Sequence, residues 1–313
     1  MQLIGALFAT SGVVVSSEDV KKAVVIEVAL NGATPKSLNP HVPRRPEEIT
    51  RDALACIEAG ASVVHNHNDE GLWTADGTHS AAPYAEAWRP ILARHPGVLL
   101  YPTMASGGPG IAIEARWRHN AELARAGLCR VGLVDPGSVS LGYLGADGLP
   151  LRLDLVYVNT HRDARHMFEQ CAELGLAPSI SIFDPSFLRV ALAFWAAGRM
   201  PAGALVKLYF GGSLVFGLPP TRAGLDAYLD MLEGSGLPWS VAVLGGDVVA
   251  CGLAQLALLR GGQLRVGLED YAGPRTPTNV ELVAEAVALA TRCGRKVASI
   301  EETHRLLGLP GSS

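Results

Sequence analysis

The sequence predicts a single (β/α)8 barrel, residues 23–313, preceded by a short N-terminal extension, residues 1–22. Three observations predict it. Short apolar runs alternate with helix-length amphipathic stretches from residue 23 onward, which is the pattern of parallel α/β architecture. The helical stretches carry their own start and stop residues. The G-x-G-x-x-G turn that an open, doubly wound sheet would place after its first strand is missing, and Asn31-Gly32-Ala33-Thr34 stands there instead.

Taken in order, Leu3 to Val15 is mostly apolar, but no Lys or Arg precedes it, and Ala9-Thr10-Ser11 makes a poor leader cleavage site. It is too short to span a bilayer, as is Val248 to Leu259. It reads as an arm or strand that packs on a neighbour. Strand candidates follow at Val24–Leu30, Ala61–His65, Val98–Thr103, Leu128–Val134, Leu153–Asn159, Pro178–Phe183, Ala204–Tyr209, Pro238–Val243 and Leu264–Leu268. A closed barrel wants eight. Residues 135–152 are loop-like, so Leu153–Asn159 belongs to an excursion after the fourth strand. Pro46-Glu47-Glu48 opens the first helix, with acids at the positive end of its dipole, and Gly60 closes it. Thr278-x-x-Glu281 and Ser299-x-x-Glu302 are capping boxes, and Gly294 follows the long helix between them. Those last two helices have no strand between them, as expected once a barrel has closed.

Composition narrows the function. Hydrophobic residues make up 49% of the chain, charged residues 18%, and 26 basic against 30 acidic residues leave a net charge of −4. That is no footprint for nucleic acid, and no charge run suggests a membrane-surface patch. Five scattered cysteines without C-x-x-C fit reduced thiols in a cytoplasm better than a disulfide framework or a cysteine zinc site. The apolar fraction and the extension point to a homo-oligomer.

The chemistry concentrates at two strand ends. His65-Asn66-His67 closes the second strand, where a side-chain period of two puts both imidazoles on one face, able to chelate one ion. That end of a parallel barrel is where active sites are built. In Arg265-Val266-Gly267-Leu268-Glu269-Asp270, the same period puts residues 265, 267 and 269 on one face of the eighth strand. Burying Arg265 and Glu269 there is costly unless they are paired or ligated. Either they form a structural ion pair, or Glu269 completes a two-histidine, one-carboxylate metal site with a position open for substrate. Asp270 would then be a base held by Arg265. Ser106-Gly107-Gly108 and Gly211-Gly212-Ser213 follow the third and sixth strands. Their backbone N–H groups could meet a carboxylate, oxyanion or phosphate, although glycine pairs are more often plain turns. His41, His79, His119, His161 and His166 have no partner spacing and read as surface or capping residues. Trp73, Trp88, Trp117 and Trp195 read as packing.

From about residue 23 to 310 the chain resembles the β-keto acid cleavage enzymes. The resemblance is carried by Val28-Ala29-Leu30-Asn31-Gly32-Ala33, Pro46-Glu47-Glu48-Ile49, Ala59-Gly60-Ala61-Ser62-Val63-Val64-His65-Asn66-His67, Phe183-Asp184, Trp239-Ser240-Val241, Arg265-Val266-Gly267-Leu268-Glu269-Asp270 and Asn279-x-Glu281-Leu282-Val283. It implies a homotetramer and a zinc-dependent reaction of a β-keto acid with acetyl-CoA, giving acetoacetate and a new acyl-CoA. His65, His67 and Glu269 would hold one Zn2+ per chain. Asp270 with Arg265 would take the proton between ketone and carboxylate. Thr103 and Ser106 both fit a hydroxyl that the family uses near the reacting carbon. Thr34, Ser179, Gly107 and Gly108 are expected on the substrate, and Gly211 and Gly212 on coenzyme A.

Some positions depart from the family pattern. Gly245-Gly246-Asp247 replaces the usual Gly-Arg, Pro178-Ser179-Ile180-Ser181 replaces Pro-Glu-x-Glu, and Asn68-Asp69 stands where an Arg is common. Thr34 and Ser179 are neutral where an amino-bearing substrate would need acids, so a neutral or anionic β-keto acid is expected, such as a dicarboxylate. An amidohydrolase-like barrel would place its H-x-H on the first strand and add later His or Lys ligands, which this chain does not show. A non-catalytic relative that binds acyl-CoA or metal would have no use for Asp270 beside Arg265.

Overall fold

The computed structural model describes residues 23–71, 74, 76–106, 110–151 and 156–309. Eight parallel strands form the barrel: β1 (Ile26–Ala29), β2 (Val63–Asn66), β3 (Leu99–Pro102), β4 (Val131–Val134), β7 (Ala177–Ile182), β8 (Leu205–Gly211), β9 (Trp239–Leu244) and β10 (Gln263–Val266). The remaining two described strands, β5 (Val139–Ser140) and β6 (Val156–Tyr157), pair antiparallel outside it. The excursion after the fourth strand is thus this ribbon. Residues 153–155 of the expected Leu153–Asn159 segment, like the expected extension 1–22, lie outside the described residues.

The ladder order is β3-β2-β1-β10-β9-β8-β7-β4. Seven neighbouring pairs are hydrogen-bonded, and β3 lies against β4 without a ladder. Cys129 Sγ bridges that seam at one end, 3.2 Å from the Leu100 carbonyl oxygen. Pro102, which has no N–H to give, is tolerated on the strand that borders it.

The helices begin and end for the reasons their sequences carry. Pro46 and Glu48 open α1 (Pro46–Ala59), and Gly60, at φ +122°, closes it. Capping boxes start α8 (Asn279–Arg292) and α9 (Ile300–Leu307) as expected, and Thr160 with Asp163 adds one on α4 (His161–Leu174). The apolar faces of these helices and the outward residues of the strands make one continuous core. Among the described residues, no helix is long and apolar enough to cross a membrane.

Inside the barrel the chemistry changes. Glu27, His65, Tyr101, Lys207 and Arg265 are buried there on β1, β2, β3, β8 and β10. Such polar groups survive burial only by answering one another, and their arrangement is the floor of the site.

Candidate active site

His65 sits on β2 between Ala29 of β1 and Tyr101 of β3. Its Nδ1 lies 3.2 Å from the Tyr101 carbonyl oxygen, and its ring stacks on the Tyr101 ring at 4.4 Å. That carbonyl can only accept, so Nδ1 carries the proton and Nε2 keeps its lone pair. Burial supports the neutral ring by pushing its pKa down to about 4, against the opposing charge of Glu269. Asn66 turns to the other side, where its Oδ1 accepts from Trp88 Nε1 at 2.8 Å. His67 returns to the site, its backbone clamped by Asn31: His67 N donates to Asn31 Oδ1 at 2.8 Å, and Asn31 Nδ2 donates to His67 O at 3.0 Å. The expected alternation holds.

The approach of Glu269 differs from the strand expectation. β10 ends at Val266, and Gly267 adopts φ +137°, where a Cβ would collide with the Ala29 carbonyl. The chain then turns, with Asp270 N and Tyr271 N donating to the Gly267 carbonyl at 3.2 and 3.0 Å. Residues 265 and 269 therefore meet through a turn and not by strand period. The same turn brings Asp270, which alternation would send to the other face, back to Arg265. Gly32, at φ +49°, leaves the space that the Glu269 side chain fills, since a Cβ there would overlap Glu269 Cγ. Asn279 fixes the turn by accepting from Leu268 N at 2.8 Å.

His65 Nε2 lies 3.2 Å from Glu269 Oε2 and His67 Nε2 lies 3.4 Å from Glu269 Oε1. One ligand atom from each of the three residues falls within 4.8 Å of the others. Ligands about 2.0–2.1 Å from a tetrahedral ion stand roughly 3.3–3.4 Å apart, so the set fits a divalent cation such as zinc.

Arg265 does the work of both readings offered by the sequence. Its Nε and Nη2 hold Asp270 Oδ2 and Oδ1 at 2.8 and 3.1 Å, and its Nη1 donates to Glu27 Oε1 at 2.7 Å and Tyr101 OH at 3.0 Å. Its Nη2 also lies 3.1 Å from Glu269 Oε1. Burial works against the charge of each carboxylate. For Glu269 the facing imidazoles and Arg265 reverse the sign and hold it well below the ordinary range. Asp270 is pushed up to about 6 by burial, against the pull of Arg265, whose one charge serves three carboxylates.

These groups open into a cavity of about 810 Å3. Thr34, Thr103, Ser106, Asp135, Tyr157, Ser181, Lys207 and Asp270 contribute its polar wall, beside His65, His67 and Glu269. The Thr34 hydroxyl donates to the Leu268 carbonyl at 2.8 Å, so it offers a lone pair to a ligand and no proton. Ser179 is buried below the cavity, and Ser181, two residues along β7, takes the lining position expected of it. Gly211 and Gly212 do not offer free N–H groups. Theirs are spent on the Leu218 and Leu244 carbonyls at 3.2 and 3.0 Å, and the adjacent Ser213 and Leu214 line the cavity instead. Gly107 and Gly108 lie outside the described residues, as does Trp73.

His79 and His119 are buried and not at the surface, with His119 Nε2 2.6 Å from the Thr103 carbonyl oxygen. Trp195 is 39% exposed and does little packing. Sequence reasoning missed Asp135, Tyr157, Lys207, Tyr101 and Glu27. A lone lysine inside the apolar run Ala204–Tyr209 and an acid directly after the fourth strand were the available signals.

Asn279 also reaches α1, where its Nδ2 donates to Asp52 Oδ2 at 2.6 Å. Burial raises the Asp52 pKa from an ordinary 3.8 to about 6. Below about pH 4 the carboxyl is protonated in both folded and unfolded chain and costs nothing. Between about pH 4 and 6 the unfolded chain ionises first, so stability falls as pH rises, and above that the whole penalty stands. Asp52→Asn keeps an acceptor for Asn279 and removes the penalty. It should stabilise the fold by up to about 2–3 kcal/mol at pH 8, with the gain vanishing near pH 4. Denaturant unfolding at the two pH values checks this, and an equal change at both would refute it.

Residues 23–309 match the family model described as beta-keto acid cleavage enzyme. The chain is 27% identical to a 3-keto-5-aminohexanoate cleavage enzyme of Fusobacterium nucleatum, over 91% of this chain and 98% of that one. It is 29% identical to a 3-oxoadipate:acetyl-CoA acetyltransferase of Cupriavidus necator, over 91% and 95%. Among solved structures, ObcA in binary complex with oxaloacetate superposes with a TM-score of 0.66 at 18% identity, covering 87% of this chain and 68% of that one, and so shares the fold. The match spans the barrel from its first strand to its last helix, and the chain belongs to the β-keto acid cleavage enzyme family.

Proposed function

We propose that this protein converts a β-keto acid and acetyl-CoA into acetoacetate and a new acyl-CoA, with one zinc ion per chain held by His65, His67 and Glu269. The observation that carries the reading is the Arg265–Asp270 fork, 2.8 and 3.1 Å long, directly beside the three-ligand cluster on one cavity wall. The acetyl-CoA-dependent activities named for the relatives support it. When bound, the metal would hold the keto acid and stabilise negative charge on its ketone oxygen, lowering the cost of C–H ionisation.

Asp270 takes the proton from the carbon between ketone and carboxylate, and Arg265 keeps Asp270 in place. The carbanion attacks the acetyl thioester carbonyl, and the coenzyme A thiolate leaves. That thiolate then attacks the original ketone carbon. The bond between C2 and C3 breaks with its electrons going to C2, and reprotonation at C2 gives acetoacetate. Thr103 and Ser106 supply hydroxyls to the reacting oxygens, while Thr34 and Ser181 face the substrate. Coenzyme A enters past Ser213, Leu214 and Gly245, since the Gly211 and Gly212 N–H groups are spent.

Acetoacetate should form from acetyl-CoA and members of a keto-acid panel, and a chelator should abolish its formation until zinc is restored. Elemental analysis should find about one transition-metal ion per chain. Metal-free protein that still turns over, or no acetoacetate from any keto acid, would overturn the proposal.

A further inference from the structure

Lys207 is a buried lysine that the mechanism does not use. It stands in the middle of β8, in register with Ser181 of β7 and Ser240 of β9, and faces the barrel interior. Its Nζ donates to Tyr101 OH at 2.7 Å, while the nearest carboxylate oxygen, Glu27 Oε1, is 3.8 Å away and beyond hydrogen-bond reach. That same oxygen already receives Arg265 Nη1 at 2.7 Å and the Tyr101 hydroxyl. Glu27 Oε1 is thus shared, in direct contact with Arg265 and paired with Lys207 only at the longer range. An ammonium has three donors, and Lys207 lines the cavity. Arg275, the other lysine or arginine among the described lining residues, is held by Glu285 through two hydrogen bonds of 2.6 and 3.0 Å.

The position suits the far end of a substrate. The Tyr101 ring centroid is 4.4 Å from that of His65 and 4.7 Å from Lys207 Nζ. A keto acid whose reacting end lies at His65, His67 and Glu269 would extend the part beyond its ketone along the cavity wall that Lys207 lines. Asp135, on the same wall, accepts from Tyr157 OH at 2.5 Å, and burial favours its protonated form. A substrate ammonium placed there would also meet Lys207.

We infer that Lys207 recognises a carboxylate on the acyl side of the β-keto acid, so that the preferred substrate is a dicarboxylic β-keto acid. The inference rests on the function proposed above. It makes Lys207 a specificity residue, with Ser181 a flanking hydroxyl.

The test compares kcat/KM for a dicarboxylic β-keto acid with that for the monocarboxylic analogue of equal length, in the zinc-loaded wild type, Lys207→Met and Lys207→Arg. Breaking a buried charge pair costs enough to predict a wild-type preference of roughly 100-fold, lost in Lys207→Met and partly kept in Lys207→Arg. Calorimetry with glutarate and butyrate gives a second readout that needs no turnover. Glutarate should bind the wild type at least about 30-fold tighter than it binds Lys207→Met, with butyrate little changed. Equal losses for both substrates in Lys207→Met would make the lysine structural and overturn the inference. A wild type that favours the uncharged or an amino-bearing keto acid would overturn it too, as would glutarate binding no better than butyrate. Absence of acetoacetate from every keto acid, with glutarate still bound through Lys207, would instead refute the parent reading and leave the anion subsite standing.

Discussion

Asp270→Asn should leave the metal and fold in place while slowing hydrogen exchange at C2 of the keto acid by roughly 10^3-fold, within the 10^2–10^4 that a positioned base contributes. The amide keeps an oxygen for one arm of the Arg265 fork and turns an N–H toward the other, so the geometry loosens but survives. What it loses is the lone pair that would take the proton. Glu269→Gln should do the reverse. It removes the charge that faces both imidazoles at 3.2 and 3.4 Å, so zinc should be lost and activity with it. Metal analysis of both variants, beside deuterium exchange followed by proton NMR, separates the roles. Equal zinc loss in the two would show that ligand and base have been exchanged.

This separation between adjacent residues was only half legible in the sequence. His65 and His67 could be placed on one face because they end a strand, and a strand has a fixed side-chain period. Glu269 and Asp270 could not, because their geometry depends on where β10 stops. It stops just before Gly267, whose φ of +137° and contact with the Ala29 backbone belong to the packing of two strands far apart in sequence. The outcome, Glu269 facing the histidines, agreed with the strand expectation although its cause did not. Ser179 shows a related limit. Alternation says that Ser179 and Ser181 share a face, but which of them reaches the mouth is set by pairing with β4 and β8.

The barrel itself was easier to read, since eight apolar runs and capped helices each report local structure. Its buried polar floor was not. Glu27 and Lys207 each look like an isolated polar residue inside an apolar strand, and only the closed sheet brings them to Tyr101 and Arg265. Gly211 and Gly212 looked like open anion binders, yet backbone packing against Leu218, Leu244 and Gly245 uses them fully.

Gly32→Ala should be the most damaging small change near the site. Gly32 holds φ +49°, so an alanine there strains the backbone by about 1–2 kcal/mol. The larger consequence is steric. The new methyl would overlap Glu269 Cγ and stand 2.9 Å from its Cβ. These are the inner atoms of the side chain and not its flexible end, so rotation of the carboxylate cannot relieve the clash and Glu269 must leave the imidazoles. Zinc affinity should fall by roughly 100-fold, at the upper end of what losing the support of a metal ligand costs. Gly110→Ala is the control, because Gly110 has φ +79° but nothing within 4 Å of the added Cβ. It should show a similar loss of stability with zinc binding intact. Competitive zinc titration and thermal unfolding of both variants give the answer. If Gly32→Ala binds zinc as tightly as Gly110→Ala, then Glu269 does not need the space that Gly32 leaves, and its place in the metal site fails.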